Sequence, residues 1–279
     1  MGRSQAPRPR PVGESEPMPD PASVLTACEE AIAQMYLRLP GFDALLAEDV
    51  TLASVGVPVP WLNQASGARF TAETADARID EVIAWYDAHG VPFAWELGPR
   101  DQPADLDARL FAHGLVVDDD AHSGMAASLL SGLPPLDLPT GVTFQIVRDP
   151  DAFHDWMDVF AAGFEMPPDV ISAFSKFALL GFGDELPYRV VLARIADRPV
   201  ATALGFLAGG GAVILNVATI PEFRRRGLGR AVTLAAMHTC AEFGASVAVL
   251  QSSEMGCELY RRLGFEEFGR YRSFVRVMA

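Results

Sequence analysis

The chain has 279 residues, half of them hydrophobic and 21% charged, with a formal net charge of −14. That length holds one large domain or two of ordinary size, and the composition is that of a soluble globular protein, while the acidic balance argues against nonspecific nucleic-acid binding. Cys28, Cys240 and Cys257 form no CxxC pair and no even framework, which argues against a disulfide scaffold or a structural zinc site and fits a reducing, cytoplasmic compartment.

Residues 1–23, "MGRSQAPRPRPVGESEPMPDPAS", are rich in Pro, Ser and charge and lack the apolar core of a signal peptide, so a disordered leader is expected. A first domain is expected over 24–130, a Pro- and Gly-rich linker over 131–141 ("SGLPPLDLPTG"), and a second domain over 142–279. The halves differ in charge: residues 1–140 hold 8 basic and 21 acidic side chains, residues 141–279 hold 14 and 15. The acidity belongs to the first half and the arginines to the second.

Along the second half, "VTFQIV" (142–147) reads as a strand, and "DAFHDWMDVFAAGF" and "PDVISAFSKFALL" as helices from their apolar spacing. "YRVVLARI" and "VATALGFLA" read as a hairpin joined at "ADRP", and "AVILNVATI" as the next strand. The stretch from Pro199 to Pro221 is uncharged, yet its "GGG" at 209–211 and flanking β-branched residues fit two buried strands better than a membrane helix. A helix from about Leu228 to Phe243, a strand "SVAVLQ", a short helix in "EMGCELYRRLGF" and two closing strands, "EEFGRY" and "SFVRVM", complete the pattern.

The first half carries a fainter copy of this order. "WLNQAS" matches "ILNVAT", "TADARIDEVIAWYDAHG" matches "LGRAVTLAAMHTCAEFG", "VPFAWEL" matches "ASVAVLQ", and "LDARLFAHGL" matches "GCELYRRLGF". Asn63 to Gly90 spans 27 residues and Asn216 to Gly244 spans 28, which favours a diverged duplication over chance likeness.

The most informative stretch is "EFRRRGLGRA", Glu222 to Ala231, between an apolar strand and an amphipathic helix. A helix N-terminus leaves N–H groups unpaired and adds about half a positive charge. Glycines let that backbone approach an anion closely, and arginines add charge-assisted hydrogen bonds. The stretch is neither a Walker loop nor a GxGxxG turn, so it points to a pyrophosphate held in some other way.

Arg224-x-x-Gly227-x-Gly229 resembles the Arg/Gln-x-x-Gly-x-Gly/Ala signature of the GNAT superfamily of acetyl-CoA-dependent N-acetyltransferases. "LYRRLGF" (Leu259 to Phe265) resembles its second hallmark, and the likeness covers about Thr143 to Met278. The resemblance implies an α/β protein of tandem GNAT-like folds, each a mixed, mostly antiparallel sheet flanked by helices. The second half would be the catalytic domain and the first half a degenerate copy. It implies that backbone N–H groups of Arg225, Arg226, Gly227, Leu228, Gly229 and Arg230 cradle the coenzyme pyrophosphate, with Arg224 part of the same loop. Val217, Ala218 and Thr219 would pair with the pantetheine arm, and Tyr260 would protonate the leaving thiolate. Many family members have Asn where this chain has Ser253, which can still hydrogen-bond with shorter reach.

Acetyl-CoA is thus the expected co-substrate, with no metal. The expected partner is a small-molecule or peptide amine, with no nucleic acid and no membrane. The oligomeric state, a homodimer among the options, stays open. Glu222, Glu165, Asp184 and Glu185 are all candidates for the base, and the amine can also arrive already neutral. The residues leave two other functions open: a non-catalytic acyl-CoA-binding regulatory module, and an acyltransferase using a longer acyl-CoA.

Plainer readings stand beside these. Arg224 to Arg226 can be a solvated helix start, Tyr260 and Cys257 core packing, and His238 a structural side chain. "VDDDAH" (117–122) reads as a solvated turn rather than a metal site. The first half's counterpart of the arginine loop, "RFTAETAD" (69–76), has no glycine and places Glu73 and Asp76 where phosphates would sit; Leu110 stands where Tyr260 does. That half is expected not to bind acetyl-CoA, but to pack against the other and wall the acceptor cleft.

Overall fold

The computed structural model describes residues 19–118, 121–130 and 132–277. The leader expected at 1–23 lies outside the described residues up to Met18, and its end needs correction, because Pro21–Ser23 already belong to helix α1 (Pro21–Tyr36). Asp20 caps that helix, its carboxylate accepting the Ser23 N–H at 3.0 Å, and Pro21 supplies a helical φ at the first position.

The first half continues through β1 (Asp43–Leu46), β2 (Thr51–Ser54), β3 (Asn63–Ser66), α2 (Ala75–His89), β4 (Phe93–Leu97), α3 (Leu106–Ala112), β5 (Val116–Val117) and β6 (His122–Ser128). The second runs β7 (Val142–Ile146), α4 (Pro150–Phe164), α5 (Pro168–Ser175), β8 (Tyr188–Ile195), β9 (Arg198–Ala208), β10 (Gly211–Thr219), α6 (Leu228–Glu242), β11 (Val247–Ser252), α7 (Cys257–Arg261) and β12 (Glu266–Arg276). The turn between β8 and β9 places Ala196 and Asp197 at positive φ, and that between β9 and β10 does the same with Gly209 and Gly210, which suits the twist of a two-residue hairpin. The uncharged run 199–221 is therefore mostly a strand pair. Among the described residues no helix is long and apolar enough to cross a membrane.

The described strands form one sheet in the order β1-β2-β3-β4-β12-β6-β11-β10-β9-β8-β7, with β5 alongside β12. It is antiparallel except at β3–β4 and β10–β11, each a parallel pair bridged by a helix, α2 or α6. This repeated unit is the duplication seen in the sequence. The halves do not sit side by side as sealed units, however. Strand β6 of the first half lies between β11 and β12, and β12 pairs onward with β4. The two closing strands expected at the C-terminus are accordingly one strand, whose start pairs with β6 and whose end pairs with β4. The partner changes between Tyr271 and Arg272, and an earlier register shift between Glu267 and Gly269 bends the strand while it still pairs with β6.

Two more details depart from the sequence reading. The helix expected through Leu180 stops at Ser175 and continues as a 3-10 turn, Lys176–Leu180. Helix α1, which precedes the first half's strands, packs on the second half: Val24, Leu25 and Cys28 meet Phe206, Val213 and Val249 in one buried cluster. Gly211 permits this approach, since a methyl there would lie 2.8 Å from Val24 Cγ1.

Candidate functional site

Strand β10 runs into a 3-10 turn, Pro221–Phe223, and then into the arginine loop. Arg225 and Gly227 take positive φ of 62° and 79°, a twist that glycine tolerates and arginine does not favour. The loop consequently turns its backbone outward. The first helical hydrogen bond of α6 runs from the Ala231 N–H to the Gly227 carbonyl at 3.0 Å, and the N–H groups of residues 225–230 donate to no acceptor among the described residues. Six consecutive donors at a helix start, with no capping side chain, are an arrangement that can hold an anion.

The arginines divide the work. Arg225 and Arg230 make no hydrogen bond or ion pair among the described residues. Arg226 lies over the Phe223 ring at 4.8 Å and donates to the Glu222 carbonyl at 3.2 Å. Arg224 turns away: it donates to the Gly163 carbonyl at 2.8 Å and the Thr219 carbonyl at 3.2 Å, with Glu165 at 3.9 Å. Its side chain braces the end of α4 against the end of β10.

Val217, Ala218 and Thr219 close β10. Ala218 and Thr219 pair with Thr202 and Ala201 of β9. On the other edge, the parallel register with β11 runs through Ala212–Ala248 and Val213–Val249 and goes no further, leaving a strand edge available for an extended ligand. Asn216 marks the break. It sits in a bulge between Leu215 and Ala218 at φ 53°, a conformation asparagine adopts more readily than most residues, and its amide makes no hydrogen bond among the described residues. Asn63, its sequence counterpart, is spent on structure: it donates to the Val57, Val59 and Pro92 carbonyls and accepts from Ser54 Oγ at 2.7 Å.

Tyr260 lies on α7, next to Leu259, whose Cδ1 is 3.4 Å from where a Gly229 methyl would be; the short helix thus abuts the start of α6. Burial pushes the Tyr260 phenol up to about 12, and its hydroxyl makes no hydrogen bond among the described residues. Its ring meets Phe265 edge-on at 5.8 Å. Ser253 is exposed at the end of β11, and its carbonyl accepts from Cys257 Sγ at 3.4 Å, so Cys257 is a buried, engaged thiol. His238 contacts the Pro134 carbonyl at 2.9 Å, which fits the structural reading. Asp119 and Asp120 of the acidic turn lie outside the described residues, and among the described residues no group of three or more His, Cys, Asp or Glu is placed to hold a metal ion.

A cavity of about 280 Å³ lies between α1, α4, α5 and strands β8–β10. No residue of α6, α7 or the arginine loop lines it; it reaches the parted strands only at Leu215 and Asn216. Its walls are rings. Phe153, Trp156, Phe160 and Phe164 recur every three or four residues along α4, and Phe174 and Phe177 continue the contact chain. The first half supplies Ile32, Met35, Tyr36, Trp61, Leu62 and Gln64. Of the four candidate bases only Asp184 lines this space, paired with Arg148 at 2.9 Å. Glu222 is exposed and bonded to Arg198, and Glu165 and Glu185 lie outside the lining. The loop carrying Asp184 is held by buried Arg189, which donates to the Leu186 and Tyr188 carbonyls at 2.6 and 2.7 Å. Sequence reasoning missed the cavity, although the α4 aromatic spacing was its visible signal.

In the first half, the counterpart loop uses its backbone donors internally: Phe70 N–H bonds the Gln102 carbonyl, and Thr74 and Ala75 bond the Thr71 carbonyl. Asp76 is tied to Arg109 and His113, and Leu110 is fully buried. Strand β3 is only four residues long and pairs with β4 at Gln64 and Ala65. The open edge of β10 has no equivalent of similar length there.

Residues 136–251 match the acetyltransferase (GNAT) domain family model. No curated protein matches the sequence significantly. Among solved structures, a GCN5-related N-acetyltransferase from Kribbella flavida superposes with a TM-score of 0.71 at 22% identity, covering 91% of this chain and 96% of that one. One from Sphaerobacter thermophilus gives 0.63 at 18%, covering 93% and 94%. A tandem GNAT protein from the clavulanic acid biosynthesis pathway gives 0.61 at 15%, covering 89% and 87%. The matched segment contains the arginine loop, and the whole chain superposes on such structures, so residues 136–251 are similar to GNAT acetyltransferase domains and the chain has a tandem GNAT fold.

Proposed function

We propose that this chain transfers an acetyl group from acetyl-CoA to a primary amine by direct attack in a ternary complex. The observation that carries the reading is the row of six unpaired N–H groups at 225–230 beside the open edge of β10. Those donors, with the unpaired Arg225 and Arg230, suit a pyrophosphate, and Val217–Thr219 suit the amide-bearing pantetheine arm. Acetyl-CoA, when bound, supplies the activated thioester. The chain's own part is to hold it along β10, to offer N–H groups at the strand end to the carbonyl oxygen, and to place a phenol near the sulfur. The Tyr260 hydroxyl carries its proton at neutral pH, burial having raised it to about 12, and it is the chain's candidate donor to a leaving thiolate. The first half, with its donors consumed and Leu110 in place of a phenol, would act as a wall rather than a second active site.

The test is Tyr260→Phe. Loss of a general acid lowers kcat by about 100-fold or more, while calorimetric affinity for acetyl-CoA stays within a factor of two. Unchanged turnover would remove Tyr260 from the chemistry. Affinity without any amine acetylation in the wild type would favour a binding module, and faster turnover with a longer thioester would favour a different acyl donor.

A further inference from the structure

From the aromatic cavity we infer the acceptor's chemical class: a primary amine carrying a flat, apolar body, of the arylalkylamine kind. This rests on the acyl-transfer reading above, because it takes the cavity as the place from which the amine reaches the thioester. The position supports it. Leu215 and Asn216 line the cavity and immediately precede Val217–Thr219, so an occupant ends beside the segment assigned to the pantetheine arm.

The lining argues for the class. Trp156 and Phe160 stack at 5.5 Å, Phe174 and Phe177 at 5.3 Å, and Tyr36 meets Phe177 edge-on, both backed by Phe42 behind the wall, which fixes the rings in one arrangement. Such walls bind a flat apolar group through area and ring geometry. A polyamine, an aminoglycoside or an amino sugar would instead bury several charges or hydroxyls, each needing a partner. The charged lining side chains are Arg148, Asp184 and Arg189, and the Arg189 guanidinium is already bonded to backbone carbonyls. Asp184 and Arg148 pair with each other and are about half exposed, at 53% and 54%. Asp184, the one carboxylate of the lining, is thus balanced by Arg148 and lies 3.8 Å from Arg189 Nε, so the cavity offers no site for an occupant with several ammonium groups. Asn216, with its uncommitted amide, can orient a single polar group at the inner end.

The reaction balances simply: the amine and acetyl-CoA give the amide and the free thiol, the proton lost by nitrogen ending on sulfur. The test uses the full chain, with 2-phenylethylamine, spermidine and glucosamine as probes, measured for binding without acetyl-CoA and for acetylation with it. The expected result is that 2-phenylethylamine binds and is acetylated with kcat/KM at least 100-fold above the other two. Trp61→Ala and Phe164→Ala remove half-exposed lining rings, at 48% and 49%, without opening the core. Each should raise KM for 2-phenylethylamine about 10-fold, roughly the share expected for one aromatic contact, with acetyl-CoA affinity unchanged. Acetylation of spermidine or glucosamine in preference overturns the inference while leaving acyl transfer standing. Binding of 2-phenylethylamine that both variants weaken, with no acetylation of any amine, supports the cavity's specificity and overturns the transferase reading instead.

Discussion

Gly163 of α4 lies so close to Ala218 of β10 that a methyl built on it would stand 2.7 Å from the Ala218 Cβ. The helix that lines the cavity is thereby seated on the strand end assigned to the cofactor. A side chain at 163 cannot relieve the overlap by rotating, because the opposing atom is fixed to the strand backbone. Gly163→Ala therefore destabilises the wild type, overpacking of this kind costing about 1–3 kcal/mol against roughly 1 kcal/mol of helix propensity gained. In an Ala218→Gly background the overlap vanishes and the same substitution becomes stabilising. Thermal melts of the four proteins check the change of sign.

The arginine loop predicts a division between binding and stability. Arg225→Ala and Arg230→Ala remove guanidiniums without protein partners, so they leave the melting temperature unchanged. Each lost hydrogen bond to a charged group is worth about 1.5–3 kcal/mol, so acetyl-CoA affinity should fall 10-fold or more. Arg224→Ala behaves differently, since it strips donors from the Gly163 and Thr219 carbonyls. It lowers the melting temperature first and affinity second. Calorimetry and melts on the three variants separate the roles; a drop in affinity alone for Arg224→Ala would contradict the brace.

That division was only partly legible in the sequence. "RRRGLG" suggested an anion site because its glycines and the preceding strand are local facts. Which arginine is tied to the protein depends on where α4 ends, a tertiary fact set 61 residues upstream by Gly163. The fold class followed from periodicity and motif for the same local reason. The passage of β12 from β6 to β4 did not, because its alternation reads alike whichever strand it pairs with. The cavity was hidden for a related reason: the α4 ring spacing is that of ordinary core packing until α1 and Trp61 arrive from the other half.

A cluster of carboxylates at α1 and β4 gives a pH prediction. Burial, aided by the Glu96 carboxylate, pushes Glu29 from its ordinary 4.5 up to about 8, and burial raises Asp101 to about 6. The folded state then holds protons that the unfolded chain has released. The stability these groups allow is complete below about pH 4.5 and is lost as pH rises towards 8. Glu29→Gln should match the wild type near pH 5 and melt higher than it near pH 8. The reverse order, with the variant weaker at pH 8, would mean that Glu29 is ionised and paired in the fold.

The exchanged strands predict how the halves come apart. A fragment of residues 142–279 contains the whole arginine loop and the open edge of β10, yet it lacks β6, which separates β11 from β12 in the sheet. It would expose the facing edges of both strands and the surface that α1 covers on Val213 and Val249. Unpaired backbone in a sheet interior is expensive, and the remaining core would have to offset it. The fragment alone should therefore show no sharp melt, and adding residues 19–130 should restore one. The full chain should unfold in a single transition with calorimetric and van't Hoff enthalpies equal. A fragment that melts cooperatively by itself and binds acetyl-CoA would show that β6 is an ornament of the second domain. Failure of the fragment with rescue by its partner makes the two halves one folding unit, in which the half carrying the arginine loop is built on a strand of the other.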